Sequence, residues 1–201
     1  MAPAEKPSAC FRVELVRCHV FAQLAGSENT LSAGSEVCAG QILRAEKNSY
    51  AVISHPGGHS ISAGPGSQLE LKSVAYHSKT DQLRAELLLV RGRLRLQTKR
   101  GDDIQLRVGE SNIVAGGADV VASQSTDKTD LVVLRGLVSI VGPASLSRPL
   151  SALERIQWPS QRAISKQDKV DETSEIERDQ LRLSLLPPKA QIRVDGCQSS
   201  D

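Results

Sequence analysis

The apolar positions along this chain fall into short alternating runs. Phe11 to Val16 begins as an apolar–polar alternation, the pattern of a half-buried strand. Turn clusters then recur roughly every ten residues, the spacing expected of many short strands. They include Gly26-Ser-Glu-Asn, Ala33-Gly-Ser, Pro56-Gly-Gly, Gly64-Pro-Gly-Ser, Lys99-Arg-Gly-Asp-Asp, Gly116-Gly and Thr126-Asp-Lys-Thr-Asp. The pattern predicts strands near 11–17, 39–44, 49–54, 59–63, 68–74, 82–90, 93–98, 103–108, 111–115, 118–123, 130–135 and 137–141. No long helical period appears before residue 148. The expected class is all-β with a short, partly helical C-terminal tail.

The character changes near Pro143. Leu150 to Gln157 reads as a short helical turn, capped by Ser151 and stopped by Pro159. Ile176 to Leu186 reads as an amphipathic helix ended by Pro187-Pro188, and Ile192 to Val194 as a short strand. The expected organisation is a disordered stretch over 1–10, a β domain over 11–145, and a charged tail or linker over 146–201. That tail is too short to bury a core of its own.

One unit occurs twice. Leu89-Val90-Arg91-Gly92-Arg93-Leu94-Arg95-Leu96 and Val133-Leu134-Arg135-Gly136-Leu137-Val138-Ser139-Ile140 share a pattern, offset by 44 positions. Two apolar residues, Arg-Gly and an alternating run point to glycine-kinked strands built from similar coils or hairpins.

Composition narrows the function classes. Aromatic residues make up 2% of the chain, so Val, Ile, Leu and Ala must build the core. The same scarcity argues against base-stacking platforms for single-stranded nucleic acid. A net charge of +2 gives no global field for a polyanion. No apolar run reaches the length of a membrane span, and the polar N-terminus has no signal-peptide hydrophobic region. The four cysteines, Cys10, Cys18, Cys38 and Cys197, have no metal-finger spacing. Cys10 and Cys18 fit adjacent turns, and buried free thiols are the plainer expectation for a chain without an export signal.

Three blocks resemble the FecR-type domain, the periplasmic part of bacterial FecR-like proteins. The first runs from Leu31 through Gly34 and Gly40 to Ile42. The second, the most specific, carries Ala51, Ile53, Gly58, Ile61, the Gly64-Pro65-Gly66-Ser67 turn, Leu69 and Leu71. The third runs from Leu88 to Ile140 and contains the repeated Arg-Gly unit. The chain departs from the family pattern at Gly57, where Asp is usual, and at Val114 to Asp119, which lacks an Arg-Gly-Thr. The resemblance implies a FecR-like β-solenoid or sandwich, a non-enzymatic signalling or scaffold role through a protein partner, and a periplasmic or cell-envelope location. A cytoplasmic location follows instead if the chain truly lacks a signal peptide. The helical segment, membrane span and further signalling domain of sigma-factor regulators find no match here.

Chemistry-bearing groups are few. Arg91, Arg93 and Arg95 alternate along one strand, with Lys99 in phase beyond them. Such a ladder could hold an acidic polymer through guanidinium forks. A solvated face that discourages edge pairing is the plainer reading, with Asp102 and Asp103 able to offset part of the charge. His55 and His59 flank Pro56-Gly57-Gly58, where a surface turn is a better reading than a metal pair. No nucleophile elbow, phosphate loop or dinucleotide fingerprint is present. The sequence calls for no enzyme activity, no cofactor, no metal, no nucleic acid and no membrane span.

Overall fold

A computed structural model describes residues 10–142 and 148–159, together with the backbone of 166–169. Among the described residues every regular element is a strand. In chain order these are β1 (Cys10–Arg17), β2 (Val20–Leu24), β3 (Ser27–Thr30), β4 (Glu36–Cys38), β5 (Ile42–Ala45), β6 (Tyr50–His55), β7 (His59–Ala63), β8 (Gln68–His77) and β9 (Gln82–Gln97). There follow β10 (Asp103–Val108), β11 (Ser111–Ala115), β12 (Asp119–Gln124), β13 (Lys128–Arg135), β14 (Leu137–Val141), β15 (Arg148–Ser151), β16 (Glu154–Pro159) and β17 (Lys166–Lys169).

The strands form two unclosed sheets that share β9. Sheet A runs β4-β1-β6-β7-β9-β12-β13-β16-β17. Sheet B runs β3-β2-β5-β8-β9-β10-β11-β14-β15. The chain crosses repeatedly from one sheet to the other. Among the described residues all pairings are antiparallel except β9–β10, whose parallel register sets Asp103 opposite Arg84. The inward faces of both sheets meet in one core cluster. It is built from Val, Leu, Ile and Ala, with Phe11 and Trp158 as its aromatic members. Fully burying one such Leu contributes about 1.5–3 kcal/mol.

Two predicted strands, 82–90 and 93–98, are halves of β9. The first half pairs with β8 and β10 in sheet B, the second with β7 and β12 in sheet A. Inward positions shift accordingly, from Leu83, Ala85, Leu87 and Leu89 to Leu94 and Leu96. Gly92 makes this shift at φ +89, and a Cβ there would lie 2.4 Å from Ser67 Cα. Gly136, at φ +87, serves between β13 and β14, where a Cβ would lie 2.5 Å from the Gly117 carbonyl oxygen. The repeated unit therefore marks two corners crossed in opposite senses, from B to A at Gly92 and from A to B at Gly136.

The helical turn expected over Leu150 to Gln157 is instead β15 and β16. Leu150, Ile156 and Trp158 enter the core, and Ile156 and Trp158 are two residues apart, a strand period. The cysteine expectation also fails. Cys10 is bonded to Cys38, joining edge strand β4 to β1, and no cysteine among the described residues is a free thiol. The helix expected over Ile176 to Leu186 and the strand at Ile192 lie outside the described residues.

Candidate functional site

The predicted basic ladder is divided by the Gly92 corner. Arg91 lies opposite Gln68 in sheet B. Arg93 and Arg95 stand in sheet A, opposite Ser123 and Val121 of β12. Arg95 is committed to a partner. Its Nε and Nη2 donate to the two carboxylate oxygens of Asp119 at 2.8 and 2.6 Å. Gln97 Nε2 donates to the same carboxylate at 2.9 Å, and Ser60 Oγ donates to Gln97 Oε1 at 2.9 Å. Burial alone would push the Asp119 carboxyl up, but hydrogen bonds from Arg95 and Gln97 and the charges of Arg95 and Arg135 hold it below its ordinary value. The Asp119 hydrogen bond conversely raises Arg95, against its burial. The planar fork suits this two-oxygen match.

A second pair on the same face repeats the arrangement. Arg155 of β16 donates through Nε and Nη2 to Asp130 of β13 at 3.0 and 2.7 Å. Between the two pairs lies an apolar strip, since Arg95 faces Val121, Val121 faces Val132, and Val132 faces Arg155. Tyr50 closes one end of the face. Burial raises its hydroxyl, while a hydrogen bond with Ser62 and the charge of Arg95 oppose that rise.

Lys99 lies beyond the end of β9, in the loop to β10. Its Nζ is 3.2 Å from Asp81 Oδ2 on the β8–β9 turn. Asp81 Oδ1 also accepts from Tyr76 Oη at 2.7 Å. The Tyr76 hydrogen bond and then Lys99 hold the Asp81 carboxyl low, and the same bond raises the Tyr76 hydroxyl. Asp102 and Asp103 face other groups than the arginine ladder. Asp103 meets Arg84 at 3.2 Å.

Asp102 reaches inward to His59, and this pair had no clear signal in the sequence. His59 Nδ1 lies 2.7 Å from Asp102 Oδ2, with both side chains buried. Asp102 also accepts from the amides of Leu83 at 3.1 Å and Lys99 at 2.6 Å. The surface turn expected at His55 and His59 is thus corrected: they are 2% and 1% exposed. Their rings lie 6.1 Å apart, and His55 also packs on Tyr76 and Phe11. Their strands turn both inward, because His55 and His59 are directly paired across the β6–β7 hairpin. Among the described residues, metal-type donors converge at Cys10, Glu36 and Cys38, where the two sulfurs are spent on each other.

The comparisons with known proteins agree with this architecture. Residues 41–139 match the FecR protein family model. Two crystal structures of a "putative anti-sigma factor" from Parabacteroides distasonis superpose with TM-scores of 0.52 and 0.51, at 15% and 14% identity. In each case the alignment covers 64% of this chain and 59% of the other, so the chain spans about three fifths of the length of the structures it matches. At that identity the likeness is one of fold. No curated protein matches the chain. Through residues 41–139, just under half of its length, this chain is similar to the FecR protein family.

Proposed function

We propose that the chain is a non-enzymatic regulatory module that binds a protein partner by strand addition at the open edge of sheet B. The observation that carries this reading is the β3 edge. All four residues of β3 are exposed, and among the described residues β3 pairs on one side only, with β2. The Leu31 amide donates to the Val20 carbonyl, so alternation turns the amides of Asn29 and Ser27 toward β2. The amides of Glu28 and Thr30 then face outward, as an added strand requires. The FecR match and the fold shared with a "putative anti-sigma factor" support regulation as the outcome of that binding. The Cys10–Cys38 bond supports an oxidising compartment such as the periplasm or cell envelope.

An acidic-polymer site on Arg91, Arg93, Arg95 and Lys99 has less support, because Arg95 and Lys99 are already paired with carboxylates. The test is a transcription reporter driven by a sigma factor encoded beside this gene. Full-length protein should change its output several-fold, and Thr30→Pro should abolish the change while the circular dichroism stays that of a β protein. An output indifferent to the wild-type protein counts against the reading.

A further inference from the structure

The Cys10–Cys38 disulfide has a third donor beside it. Cys10 faces Cys38 across the β1–β4 pairing, and two positions along Arg12 faces Glu36. Between these pairs Phe11 faces Val37, and both are fully buried. Strand alternation therefore places Cys10, Arg12, Glu36 and Cys38 together on the outer face, away from the core. The two cysteines are half-buried and Glu36 is exposed. Both sulfurs and a Glu36 carboxylate oxygen lie within 4.8 Å of one another.

We propose that, when this disulfide is reduced, Cys10, Cys38 and Glu36 bind a thiophilic divalent cation, with zinc the best match. Two soft thiolates select zinc over magnesium and calcium, which take oxygen donors. Three protein donors leave the fourth tetrahedral position to water or to a partner's side chain. Two sulfurs on one tetrahedral zinc lie about 3.8 Å apart, given Zn–S bonds of about 2.3 Å. The Cα atoms of Cys10 and Cys38 are 3.9 Å apart, so side-chain rotation reaches that spacing with the strands in place. Other contacts hold β4 on β1 without the covalent bond. Phe11 and Val37 anchor both strands in the core cluster. The Val13 amide donates to the Ser35 carbonyl at 2.8 Å, and the Gly34 amide to the Val13 carbonyl at 2.7 Å. The Cys38 amide donates to Gln41 Oε1 at 2.6 Å. Two thiolates and a carboxylate leave one negative charge over on a divalent cation, and Arg12, opposite Glu36, is placed to offset it.

The site opens by thiol–disulfide exchange. A thiolate of a dithiol reductant attacks one sulfur, its second thiol resolves the mixed disulfide, and the reductant leaves as a disulfide. Cys10 and Cys38 gain two electrons and two protons, and zinc displaces both protons on binding. The cation then replaces the disulfide as the tie between edge strand β4 and β1. This site lies on sheet A, so its test is independent of strand addition at β3 on sheet B.

Full-length protein is reduced with a phosphine in the absence of oxygen, and zinc uptake is read by competition with a chromophoric chelator. Reduced wild-type protein should bind one zinc per chain that reduced Cys10→Ser/Cys38→Ser does not bind. Glu36→Gln should weaken that zinc by about tenfold or more, since losing even an outer-shell partner costs about 10–100-fold. Zinc should also shield Cys10 and Cys38 from alkylation in reduced wild-type protein, which reads the site without a variant. Equal uptake by wild type and the double variant overturns the proposal, as do unshielded Cys10 and Cys38. An unchanged affinity in Glu36→Gln removes the third donor and overturns it too. So does loss of the β circular dichroism on reduction, because the donors then no longer face each other.

Discussion

Ser67 closes a two-way contact with the backbone of Arg93. Its Oγ donates to the Arg93 carbonyl at 2.7 Å and accepts from the Arg93 amide at 2.9 Å. Arg93 follows the glycine at which β9 changes sheets. The Arg93 carbonyl also accepts from the Gly64 amide at 2.9 Å, so Ser67 supplies its second partner and meets the Arg93 amide as well. The Gly64-Pro65-Gly66-Ser67 turn and the Arg-Gly corner are therefore one structural unit, although they lie far apart in the chain.

Ser67→Ala should remove this partner from the part-buried Arg93 amide, while the Arg93 carbonyl keeps the Gly64 amide. The expected loss is about 1–3 kcal/mol of stability. Urea denaturation should show a lower midpoint with an unchanged slope, and a cost near zero would mean that the hydroxyl is dispensable to the corner.

Gly92→Ala should cost more. The residue sits at φ +89, and the new Cβ would lie 2.4 Å from Ser67 Cα, backbone that cannot rotate away. Strain in the left-handed region costs about 1–3 kcal/mol before that clash is counted. A fall in melting temperature of about 5–10 °C is expected, since each kcal/mol shifts a chain of this size by about 2–4 °C. Gly136→Ala, with the Gly117 carbonyl oxygen 2.5 Å away, should behave alike, whereas Gly26→Ala meets no atom within 4 Å and isolates the strain alone.

These corners also explain what the sequence could and could not say. Strands from Tyr50 to Val141 were legible because apolar and polar residues alternate between glycine turns. The break at Gly92 was visible too, but a local pattern cannot tell a hairpin from a strand that crosses between sheets. β3, Ser27–Thr30, was missed because no side chain in it is buried, so it has no apolar face to reveal. The sequence of β16 suggests a helix because Ser151 and Pro159 resemble cap and stop, while its period of two spans only Ile156 and Trp158. In the candidate site, Arg93 and Arg95 were found by alternation. Their carboxylate partners were not, since Asp119 lies 24 positions from Arg95 and meets it only through strand pairing. His59 and Asp102 escaped for the same reason, at a separation of 43 positions.

Gly57 and His59 are predicted to be energetically coupled. A Cβ on Gly57 would fall 2.4 Å from His59 Nε2, so the imidazole occupies the space that the Asp usual in FecR-type domains would need. Gly57→Ala should destabilise the wild-type chain by about 1–3 kcal/mol, the usual cost of overpacking. In a His59→Ala background the same change should cost much less. A double-mutant cycle by chemical denaturation measures the difference, and additive costs would show that the ring does not exclude a side chain at position 57.

The Arg95–Asp119 pair should make the fold sensitive to acid. The side chains are 14% and 8% exposed, so the pair is largely desolvated. Asp119 has a lowered pKa in the folded chain. Its ordinary unfolded value is about 3.9. A depressed carboxylate stabilises the folded state fully above the unfolded value, and that contribution disappears as pH falls through the folded value. Arg95 stays charged across this range, so the titrating partner is Asp119. Wild-type stability should therefore fall more steeply than that of Asp119→Asn below about pH 4. Near pH 7 the order reverses in cause: Arg95→Met leaves a buried carboxylate unpaired and should cost about 3–5 kcal/mol. The cost of Arg95→Met should shrink as acid protonates Asp119, because the orphaned carboxyl is then neutral. Denaturant midpoints for the three proteins between pH 7 and pH 3 read this directly, and parallel curves would remove Asp119 as the source of acid sensitivity.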